Sequence, residues 1–157
     1  MQSQNFQVTL LFDQSPKEVF DAVNNVRGWW SEEIEGGTNK LNDVFDYHYK
    51  EAHKSRMRII EMIPNEKVVW FVEHNYFNFT NDDTEWTGSK ISFDITKKDT
   101  KTELRFTHLG LIPRLECYDV CSNAWSEYLE DSLSGLVTAG RGKPNKKEAK
   151  KKDTKKS

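Results

Sequence analysis

The feature that most limits the fold of this 157-residue chain is its ending. A strand-like run from Thr102 to Leu109 leads into a helix predicted from Tyr118 to Val137, which stops at Gly140-Arg141-Gly142-Lys143-Pro144. Such a helix is roughly 30 Å long at 1.5 Å per residue, enough to cross a whole sheet. Cys121, Trp125, Tyr128, Leu129, Ser132 and Leu136 recur on it at helical spacing and mark one stripe for burial. Only polar, lysine-rich sequence follows, so the stripe must be covered by strands made earlier in the chain. A sheet that curves around a helix encloses either a solid core or a ligand cavity.

The earlier sequence supplies that sheet. Phe6 to Phe12 alternates as a first strand. Ser15-Pro16-Lys17-Glu18 is then a strong helix start: Ser15 caps, Pro16 suits the first helical position and Glu18 completes a capping box. Val19, Phe20, Val23 and Val26 continue at helical spacing, Gly28 ends the helix, and Trp29-Trp30 reads as a second short helical turn. From Ile34 onward the period changes to two, with Phe45, Tyr47 and Tyr49 on one strand face. Further strands are predicted over Ser55 to Ile63, Lys67 to Asn75, Gly88 to Lys97 and Thr102 to Leu109, with a polar loop over Asn78 to Glu85. Runs of sequential strands between helices indicate the α+β class: an antiparallel sheet of about six strands wrapped around a long C-terminal helix, with one or two short helices after the first strand.

A hydrophobic fraction of 36% is low, but five Trp and nine Phe concentrate apolar area in a few large side chains. No apolar run reaches the roughly 18 residues of a membrane span. The N-terminus has neither the basic nor the apolar region of a signal peptide, so a cytoplasmic location is expected. The net charge of −2 hides an asymmetry: from Arg141 onward nine Lys/Arg stand against two Asp/Glu, giving +7, while the preceding 14 against 23 give −9. Residues 1–142 are expected to form the domain and 143–157 a basic, disordered tail, since lysine-rich sequence without apolar residues cannot bury enough surface to order itself. With no aromatic residues interleaved, the tail is not expected to bind nucleic acid.

Several motifs stand together in order: Ser15-Pro16-Lys17-Glu18-Val19-Phe20, Trp29-Trp30-Ser31, Val68-Val69-Trp70, Trp86-Thr87-Gly88, Phe106-Thr107-His108-Leu109-Gly110, Trp125-x-x-Tyr128-Leu129 and Gly140-x-Gly142-x-Pro144. From Phe6 to Pro144 the chain resembles the START-like (SRPBCC, helix-grip) superfamily. Within it, the chain is similar to the family of the C-terminal domain of the activator of the ninety-kilodalton heat-shock protein ATPase. The resemblance implies a sheet gripping the C-terminal helix with a pocket between them. The implied partners are a small apolar or lipid-like molecule and, as an alternative, a chaperone. The eukaryotic co-chaperone carries an additional N-terminal domain, which is not expected in this chain, and the basic tail lies outside the family pattern.

Strand parity adds two histidines to the expected interior, His74 beside Trp70 and Val72, and His108 beside Leu104 and Phe106. Each reads either as a core histidine hydrogen-bonded to a neighbour such as Tyr128, as the group that orients the polar end of a ligand, or as an acid or base. The expected cavity residues are Trp30, Tyr47, Trp70, His74, Trp86, Phe93, Phe106, His108, Cys121, Trp125 and Tyr128; Trp30 and Trp86, at element ends, read equally as rim or as interior. Cys117 and Cys121, four apart, share a helix face; without a second pair they read as reduced thiols rather than zinc ligands. Asp82, Asp83 and Glu85 read as a solvated loop. No nucleophile elbow, phosphate loop or metalloprotease motif is present, so no catalytic residue, cofactor or metal is assigned. The leading expectation is a non-enzymatic binding module; a chaperone-regulating interaction protein and a cyclase- or hydrolase-type enzyme are the alternatives. Sequence sets no oligomeric state.

Overall fold

The structure, a computed structural model, describes residues 5–146. β1 (Phe6–Phe12) is followed by α1 (Pro16–Asn24) and α2 (Val26–Trp29). Then come β2 (Glu35–Gly36), β3 (Val44–Tyr49), β4 (His53–Ile63), β5 (Lys67–Phe77), β6 (Lys90–Lys98) and β7 (Lys101–Leu109). α3 (Tyr118–Glu127), a π-helical segment (Tyr128–Leu133) and α4 (Ser134–Ala139) run on as one 22-residue helix. The seven strands form one antiparallel sheet in the order β1-β7-β6-β5-β4-β3-β2. It is the α+β helix-grip arrangement the sequence implies, one short strand richer than expected.

Local chemistry explains the ends of these elements. The Ser15 hydroxyl accepts from the Glu18 amide at 3.2 Å while the Glu18 carboxylate accepts from the Ser15 amide at 2.9 Å, the reciprocal capping box. Gly140 ends the last helix with φ 75°, a left-handed conformation that costs a glycine little. The π segment adds one residue per turn and rotates the buried stripe, which runs through Cys121, Trp125, Leu129, Ser132 and Leu133. Leu136, expected on the stripe, is only partly buried.

The chain after this helix does not leave the domain at residue 142. Its backbone returns across α2: the Asn145 amide donates to the Trp30 carbonyl at 2.9 Å, and the Glu32 amide donates to the Asn145 carbonyl at 2.8 Å. The Ser132 hydroxyl, donating to the Trp29 carbonyl and accepting from the Lys143 amide at 2.7 Å each, pins the same strap. Gly142 lies so close to α2 that a Cβ there would sit 2.2 Å from the Gly28 carbonyl oxygen. Residues 143–145 thus pack against the turn after α2 and the C-terminal helix; the basic sequence from 147 on lies outside the described residues. Among the described residues, no helix is long and apolar enough to cross a membrane.

Candidate functional site

The interior between the sheet and the helices is aromatic. Trp29, Trp30, Trp70, Phe93, Phe106 and Trp125 are all buried. Trp30 stacks on Tyr47 with centroids 4.0 Å apart and on Trp70 at 5.7 Å, and Trp86 stacks on Trp125 at 5.7 Å. Such rings pack densely only where their partners are large. At the end of the sheet near the β3–β4 turn, the facing positions are small: Ala52 on the turn and Cys121 and Ala124 on α3. The resulting cavity of about 400 Å³ lies at the lower end of the roughly 300–1,000 Å³ range of ligand sites.

The floor of this cavity is Trp30, Tyr47, Trp86 and Trp125, each no more than 3% exposed. Its lip carries Tyr49, Phe79 and Val120, which are 40%, 43% and 57% exposed, an apolar rim at the opening. One side is polar. The Asn145 side-chain amide donates to the Tyr128 hydroxyl at 2.8 Å and to the Tyr47 hydroxyl at 3.4 Å, and the two phenolic oxygens are 3.5 Å apart. Burial, then the neighbouring Tyr128 hydroxyl, pushes the Tyr47 phenol far above its ordinary pKa, so it stays protonated. The exposed Glu127 also borders the opening.

Six of the eleven residues expected to line a cavity do so: Trp30, Tyr47, Trp86, Cys121, Trp125 and Tyr128. Of the two readings of Trp30 and Trp86, the interior one matches: both are buried and form floor, Trp30 just after α2 and Trp86 in the turn before β6. Trp70, Phe93 and Phe106 are fully buried beneath the floor and pack as core. His74 is a correction. It is exposed on the outer face of the sheet, because β5 carries an extra residue between the pairs His74↔Arg56 and Val72↔Met57. That bulge reverses side-chain parity, turning Asn75 and Phe77 inward in place of His74.

His108 is interior, as parity indicates, but it is fully occupied. The Trp125 indole N–H donates to its Nδ1 at 3.1 Å, which leaves Nε2 carrying the proton. Nε2 then donates to the Ser89 hydroxyl at 2.9 Å, and Ser89 donates to the Trp86 carbonyl at 2.6 Å. This chain ties helix, β7 and the turn before β6 with every proton directed. Burial, with a smaller contribution from His53, lowers the His108 pKa from 6.5 to about 3. Of the three readings of His108, the hydrogen-bonded core histidine matches these contacts, with Trp125 and Ser89 as partners instead of Tyr128.

The histidine at the cavity wall is His53, which sequence reasoning missed. It lies 2.7 Å from the Ser55 hydroxyl and packs edge-on against Tyr47, Phe77 and Trp86. Burial lowers its pKa from 6.5 to about 3. Extending the inward series Ser55, Met57, Ile59 back by two residues would have found it. Asn145 and Phe79 had no such local signal, since loop and strap positions follow from tertiary contacts.

Asp82 and Asp83 are exposed, as expected of a polar loop, but Glu85 is half-buried. Glu85 accepts from the Glu116 and Cys117 amides at 2.9 Å each, capping the approach to α3. Glu116 in return accepts from the Asn81 and Asp82 amides at 2.8 and 3.0 Å. Two carboxylates thus lace the Phe79 loop to the start of the helix and fix one side of the lip. Cys117 and Cys121 are buried and free, and hydrogen bonding from Cys121, then burial, pushes the Cys117 thiol upward. Among the described residues, no three His, Cys, Asp or Glu side chains gather where they could hold a metal ion.

Comparison with known proteins agrees with this architecture. The family described as Activator of Hsp90 ATPase homolog 1-like protein matches residues 13–138. Among solved structures, the Aha1 dimer from Colwellia psychrerythraea superposes with a TM-score of 0.71 at 22% identity, covering 88% of this chain and 99% of that one. CalU16 from Micromonospora echinospora gives 0.62 at 12% identity, covering 90% and 78%. CV1439 from Chromobacterium violaceum gives 0.61 at 13% identity, covering 85% and 97%. At these identities the likeness is one of fold. No curated protein matches the chain.

Proposed function

This chain belongs to the Activator of Hsp90 ATPase homolog 1-like family, and from the geometry of its cavity we propose that it is a binding module for a small apolar molecule held between sheet and C-terminal helix. One observation carries the reading: a space of about 400 Å³ floored by aromatic rings opens through an apolar lip instead of being filled by side chains. Protein interiors are otherwise close-packed, so a gap of this size beside Ala52, Cys121 and Ala124 is a property of the site. The locked state of His108 supports binding over proton transfer, since both ring nitrogens are engaged by protein groups.

The test is to fill the cavity. Ala124→Trp places a large ring in the space from a position already on the helix. Binding of 2-isopropylnaphthalene, followed by equilibrium dialysis, should be lost while the thermal midpoint is kept or raised. Unchanged binding by a folded Ala124→Trp protein would refute this reading.

The exposed Phe79 and Val120 favour a second reading, a docking surface for a protein such as the chaperone in the family's name. An Hsp90-type chaperone whose ATP turnover does not respond to added protein would remove it.

A further inference from the structure

The protons along the cavity wall restrict what the polar part of its ligand can be. The Tyr47–Tyr128–Asn145 cluster contains four N–H or O–H protons: two on the Asn145 amide and one on each phenol. Both amide protons are used, one on each phenolic oxygen. The phenols can offer each other only a single hydrogen bond, at 3.5 Å, and one proton suffices for it. At least one phenolic proton is therefore left with no acceptor among the described residues. Tyr47 is 3% exposed and Tyr128 half-buried, so the spare proton is either cut off from bulk water on Tyr47 or held at the cavity opening on Tyr128. Trp86 adds to the imbalance: it lines the same cavity, and its buried indole N–H has no hydrogen-bond partner among the described residues. Buried donors without acceptors are costly, and a ligand that supplies an acceptor relieves that cost.

Backbone and helix geometry hold the cluster in place. Tyr128 begins the π-helical segment, and the strap that carries Asn145 is pinned through Ser132 to Trp29. The acceptor should also be uncharged. Glu127 borders the opening, and residues 1–146, with 17 Lys/Arg against 23 Asp/Glu, carry −6, so an anionic head would meet repulsion.

We propose, resting on the cavity reading above, that the ligand class is a compact apolar, ring-containing molecule bearing a neutral hydrogen-bond acceptor, such as a ketone, quinone or ester carbonyl, seated against Tyr47 and Tyr128. The apolar body would lie on Trp30, Trp86 and Trp125.

Two shape-matched probes test it by equilibrium dialysis with the full chain: 2-acetylnaphthalene, which carries the carbonyl, and 2-isopropylnaphthalene, which does not. In the Tyr47→Phe, Tyr128→Phe double variant the ketone should lose about fivefold in affinity relative to the hydrocarbon, the worth of roughly one neutral hydrogen bond. If the ratio of the two dissociation constants is the same in both proteins, the acceptor proposal is overturned and the cavity reading stands. If neither probe binds the folded wild type, both are overturned. Tighter binding of 2-naphthoate than of the ketone would overturn the requirement for a neutral group. Should the double variant not fold, the carbonyl stretch of 2-acetylnaphthalene bound to wild type decides: a shift to lower wavenumber than in hydrocarbon solvent is expected, and an unshifted band overturns the proposal.

Discussion

Stability should fall with acid in a way that traces to one buried ring. His108 is completely buried, and its Nδ1 accepts from the Trp125 indole, so protonation would set two donors against each other. Its pKa is therefore depressed from 6.5 in the unfolded chain to about 3 in the fold. A histidine shifted downward binds its proton more readily when unfolded, so stability is full above pH 6.5 and drains away as pH falls toward 3. Between pH 7.5 and 5.0 this single residue should remove about 2 kcal/mol, growing to about 4 kcal/mol near pH 3. His53 contributes with the same sign.

The carboxylates also titrate toward the acid end, so the clean measurement is a difference. In His108→Gln the amide can still accept from Trp125 and donate to Ser89, but it carries no titratable proton. Urea unfolding at pH 7.5 and 5.0 should show wild type losing about 2 kcal/mol more than the variant, or about 1 M in relative midpoint for a typical slope. Equal losses in the two proteins would refute the account of His108. If the variant does not fold, nitrogen-15 NMR of wild type should find this imidazole neutral, with the proton on Nε2, throughout pH 5 to 8.

Three further predictions concern the frame of the site. Gly142→Ala forces a Cβ to within 2.2 Å of the Gly28 carbonyl oxygen, where backbone meets backbone; thermal unfolding should report a loss of about 1–3 kcal/mol, and an unchanged midpoint would mean the strap is not held as described. Glu85→Ala removes both acceptors from the Glu116 and Cys117 amides at the approach to α3 and should cost about 1–3 kcal/mol; hydrogen exchange at those two amides should rise ahead of the remainder of the helix. Asn75→Ala strips the Thr87 hydroxyl of its 2.7 Å acceptor at the bulge and should destabilise by about 1–3 kcal/mol, whereas His74→Ala, on the outer face, should change the unfolding free energy from denaturant titration by less than about 0.5 kcal/mol.

The contrast between His74 and His53 shows where sequence reading stops. Both lie on strands whose same-face series includes apolar residues, yet only His53 borders the cavity. Period-two counting is sound until the backbone inserts a residue, and a bulge such as the one beside Glu73 leaves no compositional mark. The same applies to Asn145. Nothing in a lysine-rich C-terminal stretch marks one asparagine as the donor to two phenols; it gains that place because Gly142 lets the chain press against α2 and Ser132 catches the Lys143 amide.

Sequence by itself determined the class and the framing: the capping box at Ser15, the order of strands, the apolar stripe, the stop at Gly140 and the aromatic stock of the interior. These are local or periodic properties, set by hydrogen-bond geometry within a few residues and by which side of an element must avoid water. Tertiary structure alone decided that the rings do not close on one another everywhere. Where Ala52, Cys121 and Ala124 meet Trp30, Trp86 and Trp125 across the gap, small faces large, and a cavity remains. That pairing joins residues far apart in the chain, so no local pattern could encode it, and it is there that the bulge and the strap bring together the groups a ligand would touch.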